Sequence, residues 1–224
     1  KKRLSMFKLR ADVTLNDRSG ELRVATLYGD GAGDALGLSG DAGSAGAFGG
    51  GIAFIDPRLK DAGARAVLPL EGAAKTLEDA GFKATDTPEY DRLRLQLGLP
   101  DGSRDLVVEK STLLESGFDE LNGVDWDKGC YMGQELTART KYRGLVKKRL
   151  VPVIFDGPPP APETPVMLGE KEAGELRSSL PADDGGIGLA LLRLDSMAEA
   201  DETETALKAG AVTVTPAKPS WMAD

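Results

Sequence analysis

Histidine is absent from this chain of 224 residues, and cysteine occurs once, at Cys130. Without imidazole the chain has no histidine acid–base chemistry and cannot build the usual zinc sites. A single thiol forms no internal disulfide, and it cannot hold an iron–sulfur cluster alone, because such clusters take several protein ligands. No resident metal is therefore expected. Long apolar runs are also missing: nothing approaches the ~18 to 20 residues needed to cross a bilayer, and no signal-peptide pattern opens the chain. Neither a membrane partner nor an exported location is expected. Cations are in the minority, 28 Lys and Arg against 36 Asp and Glu, and the net charge of -8 argues against broad affinity for nucleic acid.

What is present is the composition of an ordinary folded protein. At 41% hydrophobic and 29% charged, the chain can bury a sizeable core, in two domains or one large one. The charge is uneven. No acid occurs in residues 136–155, while Arg139, Lys141, Arg143, Lys147, Lys148 and Arg149 supply six cations. Such a segment can attract an anion, RNA among them, or it can be a solvated face of a helix and a strand.

The lone cysteine lies at the edge of that segment, in Lys128-Gly129-Cys130-Tyr131-Met132-Gly133-Gln134-Glu135. Residues 126–129 read as the end of an extended segment, and residues 133–139 as a helix with Glu135 in its first turn. The thiol is thus expected at a strand-to-helix turn, beside cations and facing the unpaired donors of a helix start. Both conditions favour the thiolate. The alternative is a small buried hydrophobe, as many free cysteines are. Spacing leaves both open.

The run from Lys128 to Glu135, continued by Leu136-Thr137-Ala138-Arg139 and Arg143-Gly144, resembles the signature of the YgfZ-type folate-binding proteins, relatives of the glycine-cleavage aminomethyltransferase or T-protein. Upstream Asp56-Pro57-Arg58 with Gly63 and Arg65, and downstream Gly174-Glu175 and Pro219-Ser220-Trp221, are similar to that family in the same order. Aminomethyltransferases do not usually carry a cysteine at the position of Cys130, so the likeness points to the YgfZ branch, which is linked to tetrahydrofolate and to upkeep of iron–sulfur enzymes. The resemblance implies an α+β fold: a T-protein-like mixed α/β folate-binding part, expected over 1–147, followed by a small C-terminal β-barrel over 148–224. It also implies tetrahydrofolate or a derivative as cofactor. By analogy Cys130 is the reactive residue. Lys128 steers charge, Gly129 and Gly133 shape the backbone, Tyr131 stacks on the pterin ring or packs beside it, unless it is simply a core aromatic, Gln134 and Glu135 hydrogen-bond the ring, and Arg143 holds the turn or an anionic tail. One departure limits the carry-over. The chain begins at Lys1 without methionine, on what reads as a helix, whereas family members carry further strands before this point. A chain truncated at its start is expected, and the transferases' catalytic aspartate maps onto no position here.

Along the chain, residues 4–9 read as the end of a helix, and 11–15 with 21–28 as a hairpin about the turn at 16–20. Residues 29–51, rich in glycine and alanine, read as a mobile loop. Extended runs follow at 51–55 and 65–70, then a short helix over 71–81. Thr87-Pro88 opens a helix with Tyr90, Leu93 and Leu97 on one face; Arg92 and Arg94, on the other, are expected to be solvated or structural. Residues 112–117 look helical. After an alternating strand at 149–155, the proline-rich stretch 156–162 reads as a stiff loop. Short runs at 165–168, 173–180, 187–194 and 211–215 suggest a small barrel or sandwich.

The resemblance favours a tetrahydrofolate-binding accessory protein for iron–sulfur cluster assembly or repair, and thereby for iron–sulfur-dependent tRNA modification. Iron–sulfur client or assembly proteins are its expected partners, and the bacterial cytoplasm or the mitochondrial matrix its expected home. The basic segment 139–149 would then face a folate glutamyl tail or RNA. The alternative is a folate-dependent aminomethyl or one-carbon transferase; a third reading is a folate carrier with an idle thiol.

Overall fold

A computed structural model describes residues 1–222, and its contacts divide the chain into two compact units, Lys1–Ala84 and Thr85–Asp224. The first unit is built on a four-stranded antiparallel sheet in the order β1-β4-β3-β2, where β1 is Leu22–Leu27, β2 Ala45–Phe48, β3 Gly51–Ile55 and β4 Ala64–Pro69. Alternation decides which face is covered. Leu27, Ala53, Ile55, Ala64, Ala66 and Leu68 form a buried layer with Leu36, Leu38 and Ala73. On the other face Val24 and Ile52, both opposite Val67 in the ladder, remain exposed. Three α-helices belong to this unit: α1 (Lys2–Phe7), α2 (Ala32–Ala35) and α3 (Ala73–Asp79).

Two expectations for this unit are corrected. Residues 11–15 form no strand, and β1 pairs with β4 instead of closing a local hairpin, because the apolar side of β4 is the partner that buries Leu27. The stretch 29–51, read as a loop from its glycine content, holds α2 and β2, and Leu36 and Leu38 within it are core residues. Two leucines and a pairing edge outweigh a composition that would otherwise leave the backbone free.

The second unit holds a closed six-stranded antiparallel barrel, order β10-β5-β8-β7-β6-β9. Its strands are β5 (Lys148–Phe155), β6 (Pro165–Leu168), β7 (Lys171–Ala182), β8 (Gly185–Arg193), β9 (Leu207–Ala209) and β10 (Val212–Pro216). Closure removes exposed sheet edges. The interior is filled by Val151, Val153, Phe155, Val166, Leu176, Leu192, Leu207 and Val214. The expected C-terminal barrel is thus present. The sequence reading omitted β9 and the helix α6 (Leu194–Thr203) that links β8 to it.

Helix α4 (Thr87–Gln96) lies against β7 and β8, and its seam is charged. Arg94 is 3% exposed, donates 2.7 Å to Asp105 and 3.2 Å to Ser178 on β7, and also pairs with Asp91. Asp91 and Asp105 are themselves buried, and Arg104 reaches Asp91 at 2.6 Å. The expectation that Arg94 is solvated or structural resolves to the second: three carboxylate and hydroxyl partners keep its charge matched inside the fold. Residues 112–117, read as helical, are a series of turns.

Candidate cysteine site

Residues 122–149 contain not one buried residue, although Leu121 and Leu150 on either side are 3% exposed. Within this excursion lies helix α5 (Gln134–Tyr142), which begins after Gly133 in the left-handed conformation at φ 85. Gly129 adopts the same φ. Side chains other than glycine take that conformation at a cost, so both glycines act as shape residues of the turn. The strand expected before the motif is absent: residues 126–128 bend, because Asp125 accepts the backbone N–H groups of Asp127 at 2.9 Å and Lys128 at 3.2 Å and curls the chain on itself.

Cys130 is exposed, which removes the reading of a buried small hydrophobe. Four residues later α5 starts, with Glu135 in its first turn. Of the other candidates, Lys128, Gly129, Gly133, Glu135 and Arg143 are exposed, and Tyr131 and Gln134 are half-buried. The structure joins some of them. The Lys128 ammonium lies 4.8 Å from the centre of the Tyr131 ring, and the Gln134 side-chain oxygen accepts the Tyr131 N–H at 3.0 Å. Gln134 therefore braces the turn with its carbonyl, leaving its amide N–H groups as the outward hydrogen-bonding end. Arg143 lies past the last turn of α5, on the solvent side.

A second set of residues, which the sequence did not single out, ties this excursion down. Asp119 accepts the Trp126 indole N–H at 2.6 Å on one oxygen and the Lys141 ammonium on the other. Lys141 also lies 4.7 Å from the centre of a Trp126 ring, and Tyr142 meets Trp126 edge-on at 6.0 Å. Burial pushes the Asp119 carboxyl up, but hydrogen bonds from Lys141 and Trp126 and the charges of Lys141 and Arg149 outweigh it and hold the group below the usual carboxylate range. Next in sequence, Glu120 pairs with Arg149 at 2.7 Å, and Arg149 donates to the Leu114 carbonyl at 3.0 Å. Two of the six cations thus serve internal acids, and the segment is less positive than its sequence alone implies. No local signal announces these pairs, since Asp119 and Lys141 are 22 positions apart.

The remaining family-like residues have structural roles. Asp56 is 1% exposed and accepts Arg58 at 2.8 Å and Arg65 at 3.2 Å. Burial raises this carboxyl, yet hydrogen bonds and charge from Arg58, with the charge of Arg65, leave it below its ordinary value. Gly63, at φ 82, passes so close to the chain that an added Cβ would sit 2.2 Å from the Leu27 carbonyl oxygen. Gly174 and Glu175 are ladder positions opposite Leu192 and Leu191. Trp221 donates its indole N–H to the Leu97 carbonyl at 2.7 Å, at the C-terminal end of α4.

Among the described residues no group of three or more His, Cys, Asp or Glu is arranged to hold a metal ion, and no helix is long and apolar enough to cross a membrane. A cleft of about 540 Å³ opens beside β5, β10 and α6; of the basic segment only Arg149 lines it, and none of the eight candidate residues does. Contacts join only Lys128, Tyr131 and Gln134 among the candidate residues described above. A pterin is usually taken into a pocket that buries most of its surface, whereas most of the candidate residues are exposed.

Residues 147–224 match the family described as CAF17, C-terminal beta-barrel domain, which coincides with the closed barrel. The chain is 37% identical over 194 residues to the mitochondrial iron-sulfur cluster assembly factor IBA57 of Homo sapiens, covering 85% of this chain and 52% of that protein. It is 36% identical over 168 residues to IBA57 of Mus musculus, covering 74% of this chain and 46% of that protein. With the mitochondrial IBA57 homolog of Neurospora crassa it shares 42% identity over 115 residues, 50% of this chain and 25% of that one. The chain spans about half the length of the mouse and human relatives. The resemblance to YgfZ-type proteins thus narrows to relatives named for iron–sulfur cluster assembly.

Proposed function

We propose that this protein supports the assembly or repair of iron–sulfur clusters, with Cys130 as its working thiol and client or assembly proteins as its partners. One observation carries the reading: the chain's only sulfur nucleophile is exposed, on a segment that buries nothing, in a chain similar to proteins named as iron–sulfur cluster assembly factors. A thiol in that position can ligate the iron of a passing cluster, losing its proton as the sulfur–iron bond forms. Because one chain supplies one thiol, the remaining ligands come from the partner. The mitochondrial names of the relatives support the matrix as the place where this happens.

Tetrahydrofolate remains part of the proposal as a ligand of the intact protein. Tyr131, Gln134, Glu135 and Arg143 suit one side of a folate: an aromatic surface, an amide, a carboxylate and a cation for the tail. Further walls are needed to bury it, and no step of the chemistry is routed through it.

The test replaces Cys130 with serine in cells that depend on the protein. Activity of a cluster-dependent enzyme is expected to fall under oxidative stress, with the level of the protein unchanged; full activity with Cys130→Ser takes the thiol out of the mechanism. Calorimetry with reduced tetrahydrofolate and the intact protein decides the ligand: saturable one-to-one binding supports it, and none by a folded protein removes it. Release of formaldehyde from a methylamine donor would move the assignment to a one-carbon transferase.

A further inference from the structure

We infer that Asp119, Trp126 and Lys141 form a positioning clasp that presents the cysteine segment; the inference rests on the role just proposed for Cys130. Residues 122–147 have no buried side chain to anchor them and precede β5, so burial in the barrel core does not fix their arrangement. Their ends meet at one carboxylate. Asp119 takes the Trp126 indole on one oxygen and the Lys141 ammonium on the other, and Lys141 is held a second time over the Trp126 ring at 4.7 Å. The side chains of Asp119 and Lys141 are 22% and 38% exposed, so the pair is partly shielded from water and salt. Between Trp126 and Lys141 run Cys130, the Gln134 brace on Tyr131 and most of α5.

The geometry makes Lys141 the keystone. It joins the carboxylate and the indole, and it sits on α5, so it carries the C-terminal part of the excursion back to its start. Arginine can meet both partners, since a guanidinium pairs with carboxylate and stacks on aromatic rings. Methionine keeps length and apolar contact but loses the charge. Glu120, adjacent to Asp119, holds Arg149 of β5, which roots the clasp next to the barrel wall.

The test compares Lys141→Met and Lys141→Arg with the parent, in the intact protein, by hydrogen–deuterium exchange, thermal unfolding and support of a cluster-dependent enzyme. Lys141→Met is expected to raise exchange at residues 127–142 by about tenfold or more, leave β5 to β8 protected, leave the unfolding midpoint in place and lower the enzyme's activity. Lys141→Arg is expected to restore protection and activity together. Exchange in Lys141→Met equal to the parent's, or a loss spread equally over the barrel, overturns the clasp. The two readings fail separately: full activity with Cys130→Ser sinks the role of the thiol, whereas the exchange pattern judges the clasp without reference to it.

Discussion

The barrel strand β5 and the excursion just before it are consecutive in sequence and opposite in construction. In β5, Leu150, Val151, Val153 and Phe155 are each 3% exposed or less. In residues 122–147 nothing is buried, and polar contacts, those of the Asp119 carboxylate with the Trp126 indole and the Lys141 ammonium among them, tie the chain back. Apolar burial is non-directional and cumulative, so the barrel spreads its stability over many contacts. A clasp of two charges and a ring is directional and has a single point of failure. The lesson is a division of labour: the barrel carries stability, and the charged excursion carries an exposed thiol that a core would have hidden.

That contrast can be broken most forcefully in the barrel. Phe155 is fully buried, and Phe155→Ala is expected to cost about 3 to 5 kcal/mol in urea unfolding; a loss below about 1 kcal/mol would mean that the barrel core is not the source of stability. Next comes the charged seam under α4. Asp105→Ala leaves the buried Arg94 with less than its full set of partners, and a cost of about 3 kcal/mol is expected in the same measurement.

Gly133→Ala tests the excursion. The backbone at φ 85 disfavours a side chain by about 1 to 2 kcal/mol, although nothing lies within 4 Å of the added Cβ. Exchange of the first α5 amides is expected to rise while the urea midpoint of the barrel stays put.

Acid sharpens the comparison further. The Asp119 carboxyl lies below its ordinary value in the folded protein, so its contribution is complete above the unfolded value of about 4 and is lost as pH falls through the folded value. The clasp is therefore expected to be indifferent to pH from about 7 down to about 5 and to open only as pH falls below about 4 and through the lower folded value, which a pH series of hydrogen–deuterium exchange at residues 127–142 would show. The smallest effect belongs to Cys130→Ser: the side chain is exposed, and a change within about 0.5 kcal/mol in stability is expected. A larger loss would show that the thiol is a packing group.

The strands of the barrel were legible because alternation and turn residues are local: Pro165–Leu168 was read to the residue, and β5, β7, β8 and β10 within a few positions. β1 was legible as a strand but not in its pairing, since a partner more than 35 positions away leaves no trace in periodicity. The glycine-rich stretch misled because composition reports backbone freedom, while Leu36 and Leu38 within it report burial. Around Cys130 the shape role of Gly129 and Gly133 followed from residue type. The internal use of Lys141 and Arg149 did not, because the acids that take them lie outside the basic run.

By itself, then, the sequence determined what depends on neighbours a few residues away: a lone thiol without histidine, a glycine-bounded turn opening a helix, a basic run, and short alternating strands. Tertiary structure alone decided what depends on distant partners. It exposed the cysteine, buried Arg94 between two carboxylates, and brought Asp119 to Lys141. Charge pairing and burial act through space, and a chain's order in sequence records neither.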